Sequence, residues 1–158
     1  MTKHNEHSLG IERIINAPIA KIWDCWTQPE LLMQWFCPKP WQVTQAELEL
    51  KPGGKMNTVM QGPEGERFDN LGCFLEVIPN RKLVFTDTLT AGFVPSENPF
   101  MTAVVELTEQ NNNHTMMKWY ALHANQENKQ KHLDMGFEAG WNTATDQLEA
   151  LARTIAGS

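Results

Sequence analysis

The C-terminal segment constrains this fold more than any other part of the chain. Between Asn128 and Ala152, the residues Leu133, Gly136, Phe137, Gly140, Trp141, Ala144, Leu148 and Leu151 share one helical face. At about 100° per residue they fall within an arc of roughly 140°. Asp134, Glu138, Asn142, Asp146, Glu149 and Arg153 lie outside it. A helix with one broad apolar face has to be laid on another layer of structure.

The preceding sequence supplies that layer. Segments with period-two patterning are separated by turn signals at Pro52-Gly53-Gly54, Gly62-Pro63-Glu64-Gly65, Pro79-Asn80-Arg81 and Glu109-Gln110-Asn111-Asn112-Asn113. Leu71, Cys73, Leu75 and Val77 share a parity in a strand expected from Phe68 to Val77. Leu83, Phe85 and Leu89 do so in the next, then Met101, Ala103, Val105 and Leu107, then Met117, Trp119 and Ala121. With Leu9 to Ile15, Gln42 to Leu50 and Lys55 to Gln61, the pattern predicts about seven half-buried antiparallel strands. A first helix is expected after Asn16-Ala17-Pro18, where Ile19, Ile22, Trp23 and Trp26 recur at helical spacing. A short second one starts at Pro29, with Leu31, Leu32, Trp35 and Phe36. The expected class is α+β: an antiparallel sheet of six to seven strands, two short helices and a long C-terminal helix, with residues 1–7 a polar tail and 8–155 one domain.

At 158 residues, one domain of this size buries roughly 68–70% of its unfolded surface without staples. The net charge of −6 disfavours nucleic acid and anionic membranes as partners. No apolar run approaches the about 20 residues of a membrane span, and the polar N-terminus does not resemble a secretion signal. Cys25, Cys37 and Cys73 form no C-x-x-C pair, so neither a disulfide framework nor a zinc site is expected. The chain reads as soluble and cytoplasmic.

Gly136 and Gly140 are costly inside a helix, by about 1 kcal/mol each relative to alanine. Two explanations stand: close packing of another element against the helix, or space left between helix and sheet. Met56, Met60, Met101, Met116 and Met117 all fall on expected strands. Methionine fills irregular cores and also lines adaptable apolar pockets.

Several motifs resemble one known family. Arg13-Ile14-Ile15-Asn16-Ala17-Pro18, Ile22-Trp23-Asp24-Cys25-Trp26-Thr27-Gln28-Pro29-Glu30-Leu31 and Trp35-Phe36 resemble the opening of the SRPBCC proteins, within them the branch named for the activator of heat-shock protein 90 ATPase. Lys51-Pro52-Gly53-Gly54-Lys55-Met56 is similar to its Gly-Gly turn, Gly72 to Thr86 to its central hairpin, and Gly140-Trp141 with Leu148-Glu149-Ala150-Leu151 to its closing helix. The resemblance implies a helix-grip fold (START-like, birch-pollen-allergen-like), in which the sheet wraps the last helix, often around an apolar cavity. The tail before Leu9 is shorter than the N-terminal chaperone-binding domain of the eukaryotic activators, so the branch name does not by itself imply an activity.

The reading that follows is a binding domain for a small apolar ligand, lipid-like or aromatic. Its expected cavity residues are Trp35, Phe36, Met56, Met60, Phe74, Phe85, Asp87, Met117, Trp119, Phe137, Gly140, Trp141 and Ala144. Asp87 shares the parity of Leu83 and Phe85 and so needs a partner or a raised pKa if that face is inward. Arg13 is a second polar group that could orient a ligand. The alternatives are a chaperone-linked, stress-response interaction module acting through its surface, and a cyclase- or hydrolase-like enzyme using the same cavity. No catalytic residue, metal site or cofactor is assigned: His4 and His7 lie in the tail, His132 begins a helix, and His114 and His123 have opposite parity on one strand. Cys37, between Phe36 and Pro38, reads as a structural cysteine, with a partly exposed thiol as the less favoured alternative, and a homodimer is an expectation because two-fold oligomers are common.

Overall fold

The period-two segments become strands, but where glycine interrupts them the strands break. The computed structural model describes residues 6–156, so residues 1–5 of the expected tail, His4 included, lie outside the described residues. In chain order the elements are β1 (Ser8–Ile15), α1 (Ile19–Thr27), α2 (Pro29–Leu32), β2 (Gln42–Leu48), β3 (Met56–Gln61), β4 (Arg67–Asn70), β5 (Cys73–Ile78), β6 (Lys82–Thr86), β7 (Leu89–Thr90), β8 (Val94–Pro95), β9 (Thr102–Asn111), β10 (His114–Leu122), α3 (Gln126–Asp134) and α4 (Phe137–Ala156). Pro18 is the N-cap of α1 and not its first helical residue.

Five strands pair antiparallel in the order β1-β10-β9-β6-β5, three in the order β2-β3-β4, and β7 with β8 forms a two-stranded ribbon. The expected single strand from Phe68 to Val77 is therefore two strands in different sheets. Gly72 is the corner. The Met56 amide donates to the Gly72 carbonyl (3.0 Å), and the Phe74 amide to that of Gly54 (2.9 Å), so the sheets join through backbone there. A β-carbon on Gly72 would run into the Thr86 carbonyl oxygen, which is why the corner takes glycine. The register of β5 also shifts between Phe74 and Glu76. Cys73 and Phe74 pair with Thr86 and Phe85 in regular register before that shift, and both are buried because both faces of the sheet are covered there.

The long C-terminal helix is also two elements. Gly136 has φ +85° and ends α3 in the left-handed conformation that glycine adopts without strain. The two glycines thus have opposite roles. A β-carbon on Gly136 would meet nothing within 4 Å, yet its backbone would be strained. A β-carbon on Gly140 would meet only Pro38 Cγ, at 3.9 Å. Gly136→Ala is expected to destabilise the protein by about 1 kcal/mol, whereas Gly140→Ala stabilises it by about 0.5–1 kcal/mol through helix propensity. Urea midpoints of the two variants check this; a shift of the same sign in both would contradict it.

Helix α4 packs against α1 and β1. Its C-terminal half places Leu148 and Ala152 in the core with Ile22, Cys25 and Ile15. Its flanks are pinned by hydrogen bonds: Arg13 Nη2 to Asp146 Oδ1 (2.7 Å), the Asn16 amide to Glu149 Oε2 (2.7 Å), and Gln147 Nε2 to the carbonyls of Trp35 (3.0 Å) and Cys37 (2.9 Å). Arg13 is thereby committed to holding α4. Among the described residues, no helix is long and apolar enough to cross a membrane.

Candidate ligand cavity

The N-terminal half of α4 does not sit flush on the sheet. A cavity of about 350 Å³ lies between them, within the size range of small-molecule sites, about 300–1,000 Å³. Phe137, Gly140, Trp141 and Ala144 form the α4 wall, and Met135, Gly136 and His132 continue it through the α3–α4 junction. Met56, Thr58 and Met60 come from β3, Phe85 and Thr86 from β6, and Trp119 from β10. Phe36, Cys37 and Pro38 close one side; Asn70, Leu71, Gly72, Asp87, Phe100 and Met101 line the rest. A smaller hollow of about 320 Å³, between β1 and the α3–α4 junction, carries Glu12, Glu138 and Asn142 on its walls.

Trp35, Phe74 and Met117, expected at the cavity from their parity or spacing, do not line it. Trp35 and Phe74 are each 1% exposed and Met117 0%; they are core residues behind the wall. Trp35 packs edge-on against Trp26 (4.7 Å between centroids) and donates from Nε1 to the Cys25 carbonyl (2.9 Å). Phe74 pairs with Phe85 across β5 and β6 and packs against its ring (6.2 Å) within the core. The remaining expected residues, Phe36, Met56, Met60, Phe85, Asp87, Trp119, Phe137, Gly140, Trp141 and Ala144, share the one cavity. Arg13 is not among its lining residues.

Asp87 reaches the cavity because β6 ends at Thr86. Its Oδ1 accepts from the amides of Phe100 (2.7 Å) and Met101 (2.9 Å), just before β9. The carboxylate thus serves the backbone there, and its partners are peptide N–H groups. Asp69 is exposed and pairs with Arg67 at 2.9 Å. The Cys37 thiol is buried, which pushes its pKa up to about 11; it is the structural cysteine that the sequence favours over a reactive one, and it stays protonated near neutrality.

The grouping that strand parity and helix spacing missed is a buried histidine pair. His123, just beyond the end of β10, donates through Nδ1 to the His7 carbonyl at 2.6 Å, and its Nε2 lies 2.9 Å from His132 Nδ1 on α3. His7 therefore takes part in the folded structure. Phe100, Phe137 and Trp141 surround the His132 ring edge-on, with centroids 5.1, 4.9 and 5.7 Å away. Burial, with His123 as the lesser cause, lowers the His132 pKa to about 4, so at neutral pH its ring is uncharged. The available signal was weak: His132 falls in the last turn of α3, one turn before the Gly136 that caps it.

Trp119 stacks on Trp141 at 3.9 Å across the cavity wall. Its indole Nε1–H is buried without an acceptor among the described residues, an arrangement that costs about 1–3 kcal/mol unless something meets it.

Comparison with known proteins places this architecture. The family model described as "Activator of Hsp90 ATPase homolog 1-like protein" matches residues 16–153. A crystal structure of a Nitrosomonas europaea protein is 37% identical, covers 98% of this chain and 99% of its own, and superposes with a TM-score of 0.93. A Mycobacterium smegmatis protein is 29% identical over 97% of this chain and 96% of its own, TM-score 0.80. An Arthrobacter aurescens protein is 27% identical over 93% and 86%, TM-score 0.80. No curated protein matches the chain. With the family model matching residues 16–153 and these structures superposing over nearly the whole chain, the chain belongs to the Activator of Hsp90 ATPase homolog 1-like protein family.

Proposed function

We propose that this chain is a cytoplasmic, single-domain binding protein for a small apolar molecule held between α4 and the sheet. The observation that carries the reading is the cavity of about 350 Å³ walled by Met56, Met60, Phe85, Trp119 and Trp141 beneath Gly140. Burying apolar ligand surface there would contribute about 25 cal/mol per Å². Native mass spectrometry of freshly purified protein tests it, with Gly140→Leu as the partner variant. The wild type is expected to retain an apolar metabolite, or to take up a two-ring aromatic added at micromolar concentration. In Gly140→Leu the added side chain fills the space below Pro38, and binding falls at least tenfold. Equal binding by both proteins, or none by the wild type, overturns the reading.

A second reading rests on the surface. The family takes its name from activation of the Hsp90 ATPase, and Phe68, Leu71 and Met135 are 57%, 54% and 68% exposed. Exposed apolar groups of this size suit a protein partner such as a chaperone. Under that reading Gly140→Leu leaves the partner's affinity unchanged, while Phe68→Asp weakens it.

A further inference from the structure

The histidine pair gives the cavity a fixed hydrogen-bonding polarity. A backbone carbonyl can only accept, so the 2.6 Å contact with the His7 oxygen places a proton on His123 Nδ1. In the neutral ring Nε2 is then an acceptor, and the 2.9 Å contact with His132 requires the proton on His132 Nδ1. That leaves His132 Nε2 with its lone pair free. The assignment follows from the hydrogen-bond network, and Nε2 bonds to no other described residue. His132 is 6% exposed and lines the cavity. A side chain held this way presents an acceptor in an apolar, aromatic surround.

The rest of the lining narrows what that acceptor can meet. It contains no lysine or arginine, and its one carboxylate is Asp87. A ligand carboxylate would lose its hydration without gaining a cation, and would face the His132 lone pair as well. A hydroxyl group suffers neither penalty, and its hydrogen satisfies Nε2. Rings suit the walls, since Trp141, Phe137 and Phe100 all converge on His132.

We infer that the cavity selects a neutral, ring-containing molecule whose hydroxyl group donates to His132 Nε2, and that carboxylate ligands such as fatty acids are rejected. The inference rests on the cavity-binding reading above. It makes His132 the specificity-determining residue. With its ring proton held on Nδ1 and its lowered basicity, it acts as an acceptor and not as a general base near neutrality.

Three probes test it on the wild-type protein by isothermal titration at pH 7.5: 1-naphthol, its methyl ether 1-methoxynaphthalene, and 1-naphthoate. Naphthol is expected to bind at least tenfold tighter than the methyl ether, and naphthoate weakest. In His132→Phe the preference for naphthol over the ether falls to within threefold while the ether keeps its affinity. Long-range ¹H–¹⁵N spectra of the wild type should show both His123 and His132 protonated at Nδ1, a readout that does not depend on the variant folding. Equal affinities for naphthol and the ether, tightest binding of naphthoate, or an Nε2-protonated His132 overturns the inference and leaves the cavity reading standing. Failure of all three probes to bind overturns both.

Discussion

Trp119→Ala is expected to remove about 3–5 kcal/mol of folding stability, the range for truncating a buried aromatic. The ring is 3% exposed and joins two parts of the interior. One face stacks on Trp141 of α4 at 3.9 Å, while Trp26 of α1 meets it edge-on at 5.0 Å and Trp35 at 6.0 Å. Its loss enlarges a hollow that already exists, so the neighbouring walls have little to collapse against. Against a total of about 5–15 kcal/mol for an ordinary domain, this is a large fraction, and the melting temperature should fall by roughly 6–20 °C. Trp41→Ala is the comparison: that ring stacks on the exposed Phe68 at 5.7 Å and should cost less than about 1 kcal/mol. Chemical denaturation of both variants decides it. Similar losses in the two would mean that the aromatic cluster around Trp119 does not hold α4 to the sheet.

Acidification is expected to weaken the fold well before the carboxylates titrate. His132 binds its proton at about pH 4 in the folded protein against an ordinary value of 6.5. Between those values the unfolded chain takes up a proton that the native state resists, so stability falls as the pH drops. The contribution is complete above pH 6.5 and is lost progressively down to pH 4. The size is about 3 kcal/mol. His132→Phe should flatten the stability profile across that window while leaving it parallel to the wild type above pH 7. An unchanged slope between pH 6.5 and 4 in the variant would place the acid sensitivity elsewhere.

The wall of the cavity was legible in the sequence where periodicity is strict. Gly140, Trp141 and Ala144 lie on one arc of a regular helix, and Trp119 shares a parity with Met117 and Ala121 on a strand without bulges along Thr115–Leu122. The same rule failed for Phe74, which shares a face with its cross-strand partner Phe85 yet is sealed in the core, because parity assigns a face and not a depth. It also failed for Trp35, which follows the single turn of α2 and is positioned by its bond to the Cys25 carbonyl. Spacing alone could not distinguish Gly136 from Gly140. Both lie on the apolar arc, yet one is a left-handed cap and the other a helical residue facing Pro38. The histidine pair was the least legible feature. His123 and His132 are nine residues apart, on different elements, and meet only because the loop at Asn125 and the first turns of α3 fold back over the end of β10. Parity singled out Asp87 as needing a partner if it faces inward, and its partners are backbone amides, which no residue pattern reveals.

The proposed function requires that α4 span a hollow that takes up an apolar molecule. Methionine methyl groups report on it directly. In ¹H–¹³C spectra of protein labelled at the methionine methyls, titration with 1-naphthol is predicted to shift Met56, Met60, Met101 and Met135, which line the cavity. Met117, sealed in the core, and Met33, just past α2, should stay in place. Unmoved lining methyls at saturating naphthol, or shifts confined to Met33, would contradict it.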